Sequence, residues 1–167
     1  MGINVVQNTP IDVEGLLVSS SLVRRLLAEG DVSTAATFLG RRFEIEGTVE
    51  HGFAEGRKID FPTANLRPDC EEQLVPGRGV YAVKAEVDGF SYMAMVNIGW
   101  RPTLDNGADQ TIEAHLLDYE GGDMYGKHLR LHFLRRVRDE HRFGSIEELQ
   151  AQLALDADCV RAIFAER

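Results

Sequence analysis

The chain is poor in cysteine. Cys70 and Cys159 are the only two in 167 residues, 89 positions apart, with no Cys-x-x-Cys pair and no His-rich spacing. That argues against a zinc site or a disulfide framework and fits a reduced, cytoplasmic protein. No apolar run is long enough to span a bilayer. Positive charge is scarce too: 18 Lys and Arg stand against 27 Asp and Glu, a net charge of −9. Duplex nucleic acid and anionic membranes reward basic surfaces, so neither is expected as a partner. There is no internal repeat, no low-complexity tract, no Walker A spacing and no Gly-x-Gly-x-x-Gly opening a helix. What is present is ordinary for a globular protein, 44% hydrophobic and 27% charged. The length fits one domain, or one domain with an appendage.

Residues 1–18 read as an extended lead-in. Ser19 to Glu29 then reads as a helix with a serine at its start and Gly30 at its end. Asp31 caps a second short helix to about Leu39, with Val32, Ala35, Ala36 and Leu39 on one face and Gly40 as its stop. From Phe43 the period becomes two: Phe43, Ile45, Gly47 and Val49 alternate with Glu44, Glu46, Thr48 and Glu50. The runs 80–87, 92–98, 112–119 and 129–137 alternate likewise, with Asp88-Gly89, Asn106-Gly107 and Gly121-Gly122 as turns. Five or six strands without crossover helices predict an antiparallel sheet, and closing it into a barrel removes its edges. Ser145-Ile146-Glu147-Glu148 is a capping box that opens a C-terminal helix, with a break expected near Asp156.

The stretch 47–66 carries the most chemistry. Gly47, Gly52 and Gly56 lie among His51, Arg57 and Lys58, and Thr63 and Asn65 follow. Glycine lets backbone approach a polyphosphate closely, and successive N–H groups can form an anion nest. Thr63 and Asn65 offer neutral oxygens of the kind a hard Mg²⁺ accepts beside phosphate. Further on, Val96-Asn97-Ile98-Gly99-Trp100-Arg101-Pro102-Thr103 leaves a strand for a loop. On the next strand Glu113 and His115 share one face, and Ile112, Ala114 and Leu116 the other. A Glu and a His projecting together can do proton chemistry; they serve equally well as solvent-facing residues.

The string from Gly47 resembles the riboflavin kinase signature, Gly-x-Val-x-x-Gly-x-x-x-Gly-Arg followed by Gly-Phe-Pro-Thr-Ala-Asn. Asn-Ile-Gly-x-x-Pro-Thr at Asn97, Glu-x-His at Glu113, Asp-x-Tyr-Gly-Lys at Asp123 and Arg-x-Glu-x-x-Phe at Arg138 follow in the family's order. The resemblance covers roughly residues 42–165. It implies a six-stranded antiparallel Greek-key β-barrel over 41–167 with a C-terminal helix. It also implies transfer of the ATP γ-phosphate to the 5′-hydroxyl of riboflavin, giving FMN and ADP. It makes Glu113 the catalytic base and Thr63 and Asn65 the Mg²⁺ ligands. Gly47, His51, Gly52, Gly56, Arg57, Lys58, Leu116, Asp118 and Tyr125 fall on the ATP site with Thr63 and Asn65. Asn97, Arg138, His141 and Ser145 fall on the flavin site. The competing reading is a flavin- and nucleotide-binding module that has lost turnover. A generic β-barrel interaction domain would leave the collinear motifs unexplained.

Residues 18–24 resemble the Ile-Ser-Ser-Thr-x-Ile-Arg motif near the end of a nucleotidyltransferase domain. The strings that follow resemble the junction of bifunctional bacterial FAD synthetases. No His-x-Gly-His motif occurs. Residues 1–40 are therefore expected to be a remnant of an adenylyltransferase domain plus linker helices, without that activity. The full-length protein would then have an adenylyltransferase domain as partner. The alternative is an extension that only packs on the barrel.

One position departs from the pattern: Asp60 stands where the family has glycine before Phe-Pro-Thr-Ala-Asn. A carboxylate there would lie near Mg-ATP, helping to hold the metal or repelling phosphate. The expected net effect is a higher KM for ATP than in an Asp60→Gly variant. Steady-state kinetics of the pair test this, and an equal or lower wild-type KM would refute it.

Overall fold

The computed structural model describes residues 12–13, 15–50, 63–102 and 108–166. Two strand pieces, β1 (Asp12–Val13) and β2 (Leu16–Leu17), form a small hairpin where a plain lead-in was expected. Helices α1 (Ser20–Glu29) and α2 (Val32–Leu39) follow. Ser19 Oγ accepts from Leu22 N, and Asp31 Oδ1 from Thr34 N, which satisfies N–H groups that a first turn leaves unpaired. Gly30 and Gly40 end the helices at φ +81° and +67°, a conformation other residues rarely adopt.

Six strands follow: β3 (Glu44–Glu50), β4 (Ala64–Pro68), β5 (Gly79–Val87), β6 (Phe90–Pro102), β7 (Ala108–Leu116) and β8 (His128–Arg138). They close into an antiparallel barrel in the order β3-β4-β7-β6-β5-β8, with β8 pairing back to β3. Alternation had marked five of these. β4 is short, ends in Arg-Pro and lies in a stretch that reads as a binding loop. β7 stops at Leu116 rather than Tyr119, because Asp118 turns the chain at φ +58°.

The barrel interior is filled by the alternating apolar positions. Ile45, Tyr81, Val83, Val96, Ile98, Ala114, Leu129, Leu131 and Phe133 are fully buried there, with Tyr81 set edge-on to Phe133 at 5.5 Å. Val23, Leu26 and Leu27 of α1 and Val32 and Ala35 of α2 belong to the same cluster, so the two helices share the barrel's core. Burial of such apolar area is the main stabilising term. Polar contacts set the docking: Gly77 N donates to Leu27 O (2.8 Å), Tyr81 Oη donates to Gly77 O, and Ser33 Oγ donates to Leu134 O (3.1 Å).

Helix α3 (Ile146–Ala165) covers the outside of β5, β6 and β8. It is continuous through Asp156, so the expected break is absent. Asp156 is buried and ion-paired to Arg138, which removes its reason to turn the chain toward water. Alternation in β8 fails at Leu134, which is buried directly after Phe133. The β5–β8 register slips twice, passing over Leu134 and Val137, and both side chains join the second apolar cluster under α3. Bulges of this kind re-aim side chains; here they supply a seat for the helix. Among the described residues no helix is long and apolar enough to cross a membrane.

The tightest seam lies between α1 and the segment before β5. A Cβ added to Gly77 would fall inside van der Waals contact of Ala28 O. Gly77→Ala is expected to lower stability by about 1–3 kcal/mol, the cost of overpacking a close-packed contact. Thermal or urea unfolding checks this, and an unchanged midpoint would show that the seam can give.

Candidate functional site

The register brings four of the sequence-predicted site residues, Asn65, Asn97, Glu113 and Arg138, into one row. Residues directly opposite in a ladder share a face. Asn65 on β4 pairs with Glu113 on β7, Glu113 with Asn97 on β6, Asn97 with Val80 on β5, and Val80 with Arg138 on β8. The row lies on the outer face: Ala64, Leu66, Ile112, Ala114 and Leu116 point into the core, while Asn65, Glu113 and His115 are half-buried. Glu113 and His115 thus share one face and Ile112, Ala114 and Leu116 the other, as alternation predicts. Neighbouring strands stand about 4.8 Å apart. Glu113 is therefore one strand from Asn65 on one side and one strand from Asn97 on the other. Thr63, exposed, precedes β4 by one residue and Asn65 by two.

At the far end of the row Arg138 leads into segment 139–145. Its guanidinium donates from Nε and Nη2 to the carboxylate of Asp156 (2.9, 3.0 and 2.7 Å) and from Nη1 to Asp139 O (2.9 Å). It lies 5.7 Å from the ring of Phe143, and His141, exposed, meets the same ring edge-on at 5.1 Å. Ser145 caps α3, with its Oγ accepting from Glu148 N (3.2 Å). The return bond of the capping box goes one residue early: Glu148 accepts from Gly144 N (2.9 Å). The Ser145 hydroxyl proton is not consumed by the cap.

Asp118, just past β7, accepts from Arg161 of α3 at 3.2 Å. Tyr125 is 54% exposed, and its N–H donates to Asp123 Oδ1 at 3.0 Å. Leu116 is different, since its side chain is buried in the barrel core. Gly47 has a packing reason of its own: a side chain there would run into the backbone of Arg67 where β3 and β4 cross closely. His51, Gly52, Gly56, Arg57 and Lys58, with Asp60, lie outside the described residues.

Sequence reasoning missed Asp156 as the partner of Arg138. The signal was an acid on the apolar stripe of a helix, three residues after Leu153 and four before Val160. It also passed over Lys127, which donates to Asp88 (2.5 Å) and to the Tyr119 hydroxyl (3.2 Å). Those bonds, Asp88 foremost, hold the Lys127 ammonium above its ordinary pKa.

Two other features lie away from the row. A hollow of about 420 Å³ opens beyond the Pro68 end of β4, lined by Arg67, Cys70, Gln73 and Gln110 among others. Among the described residues it holds none of the row's residues. Glu46, Asp69 and His128 bring ligand-type atoms within 4.8 Å of one another on the barrel wall. Those groups are already engaged, His128 with Asp69 (2.7 Å) and Glu46 with Arg130 (2.5 Å).

Residues 39–164 match the family model described as riboflavin kinase. The chain is 38% identical over 164 residues to a bifunctional riboflavin kinase/FMN adenylyltransferase of Pseudomonas fluorescens, covering 98% of this chain and 52% of that protein. It is 42% identical over 153 residues to the protein of the same description from Escherichia coli K12, covering 90% and 47%. The chain thus spans about half the length of these relatives. Among solved structures, one described as a macrolide-efflux protein from Streptococcus pneumoniae superposes with a TM-score of 0.84 at 34% identity, over 91% of this chain and 49% of that one. The riboflavin kinase of Trypanosoma brucei superposes with a TM-score of 0.52 at 25% identity, over 73% and 79%. On the family match, the extent of these alignments and the six-stranded barrel, the chain belongs to the riboflavin kinase family.

Proposed function

We propose that this chain transfers the γ-phosphate of Mg-ATP to the 5′-hydroxyl of riboflavin, giving FMN and ADP. The observation that carries the reading is the order of the row. Glu113 stands between Asn65, on the phosphate side, and Asn97 and Arg138, on the flavin side. A kinase for a primary alcohol needs its base at the junction of the two substrates.

Each residue then has a task. Glu113 receives the hydroxyl proton as the oxygen attacks phosphorus. Asn97, Arg138, His141 and Ser145 hold the flavin so that its ribityl end reaches Glu113. Fixing both reactants in this way is a large part of what phosphoryl transfer asks of a protein. Thr63 and Asn65 fit Mg²⁺ because both carry neutral oxygens, Thr63 is exposed, and Asn65 sits in the ladder between two carboxylate residues, Glu50 on β3 and Glu113 on β7. Bound there, the ion would neutralise charge on the phosphate oxygens. Gly47 and the residues from His51 to Lys58 would cover the polyphosphate. Asp118 and Tyr125 would line the nucleotide, with Leu116 backing them from the core. The reaction is assigned to the cytoplasm, where both substrates are available to a reduced protein. The relatives' names pair this activity with FMN adenylyltransferase. The helices before residue 41 are proposed to join such a domain to the kinase barrel, into whose core they pack.

Glu113→Gln keeps the size of the side chain and removes the base. Turnover to FMN, followed by chromatography, is expected to fall by about 10²–10⁴-fold, the usual contribution of a general base. FMN binding, read from flavin fluorescence, should persist. Near-wild-type turnover would remove Glu113 from the role. Asn65→Ala should instead raise the KM for Mg-ATP, with partial recovery at excess Mg²⁺. An unchanged Mg²⁺ dependence would take Asn65 out of the metal site.

A further inference from the structure

Asp156 is the one polar or charged residue that is buried among the described residues, at 1% exposure. It lies on the stripe of α3 that carries Leu153, Ala157, Val160 and Ile163, where an apolar side chain would satisfy packing. A carboxylate in such a place is costly unless it is paired and hydrogen-bonded, and a buried ion pair is a poor device for stability alone. Its partners are complete: Arg138 reaches it through Nε and Nη2, and Gln152 donates to Oδ1 at 2.9 Å.

The direction of these contacts is informative. Arg138 does not end at the helix. Its Nη1 holds the carbonyl of Asp139, and its plane faces the ring of Phe143, which meets His141. In the same segment Glu140 is tied to Arg78 at 3.8 Å. The anchored carboxylate thus fixes both Arg138 and the stretch 139–143 beyond it, at the end of the row opposite Asn65.

We propose that Asp156, supported by Gln152, is a positioning residue for the flavin end of the site. It sets the rotamer of Arg138 and, through it, the path of the segment that carries His141. The proposal rests on the riboflavin kinase reading above. It predicts a selective effect, with flavin recognition lost and nucleotide recognition kept.

The test is kinetic and uses the whole chain. Asp156→Asn keeps the shape and removes the charge. Its riboflavin KM is expected to rise about thirtyfold, the low end for breaking a buried hydrogen-bonded charge pair. Its KM for Mg-ATP should stay near that of wild type. Arg138→Met should give a comparable rise, and the double variant should cost no more than Arg138→Met alone, as for residues acting through one contact. Thermal melting shows that each variant is folded at the assay temperature. Gln152→Met, at the edge of the pair, is a milder variant expected to shift riboflavin KM in the same direction. Parallel rises in both KM values, penalties that add, or a change in melting alone would overturn the proposal. A wild type that makes no FMN would overturn the functional reading and this proposal together. A competent wild type with an unaltered Asp156→Asn variant would overturn this proposal only.

Discussion

Everything proposed for this protein depends on strand register. The side-chain period of a strand is two, so a slip of one residue between β4 and β7 would turn Asn65 or Glu113 into the core. The slip is prevented by what lies on the other face. Ala64, Leu66, Ile112, Ala114 and Leu116 are buried in the barrel, and exposing them would forfeit the hydrophobic term that holds the barrel closed. The apolar half of each strand thereby fixes the polar half. Site geometry and core packing are the same constraint seen from two sides of one sheet.

The outer face is divided between two uses. Under α3 it is apolar, built from Val80, Ala82, Met95 and Leu134. Beyond the helix it is polar and carries Asn97, Glu113 and Asn65. The boundary runs between Val80 and Asn97, which are ladder partners. Helix α3 meets the polar strip through Asp156, whose carboxylate holds Arg138 at the end of the row. The bulges of β8 serve this division by turning Leu134 and Val137 toward the helix.

Much of this was legible in the sequence. Capping residues placed α1 and α2 to within a residue, because Ser19, Asp31, Gly30 and Gly40 act through local bonds and local φ. Alternation located five of six strands and put Glu113 and His115 on one face. What alternation cannot supply is partner choice. That Asn65, Glu113 and Asn97 stand abreast depends on long-range pairing, and here motif resemblance rather than physics grouped them in advance. The expected break at Asp156 came from treating an acid in a helix as a local matter, whereas its partner is on a strand 18 positions earlier. β4 was overlooked because a five-residue strand ending in proline has too little alternation to stand out. Leu116 and Gly47 show the reverse: both sit in family motifs, and both have packing duties the motif does not reveal.

The two N-terminal helices carry one more implication. The family match begins at residue 39, yet Val23, Leu26, Leu27, Val32 and Ala35 close one end of the same core as Ile45, Tyr81 and Phe133. A boundary drawn by resemblance is thus not a boundary of autonomy. Cut at the edge of the match, the barrel would open its aromatic floor to water and lose the seam that seats Gly77 against Ala28. A barrel of this sequence cut free at residue 39 would have to take this pair of helices with it.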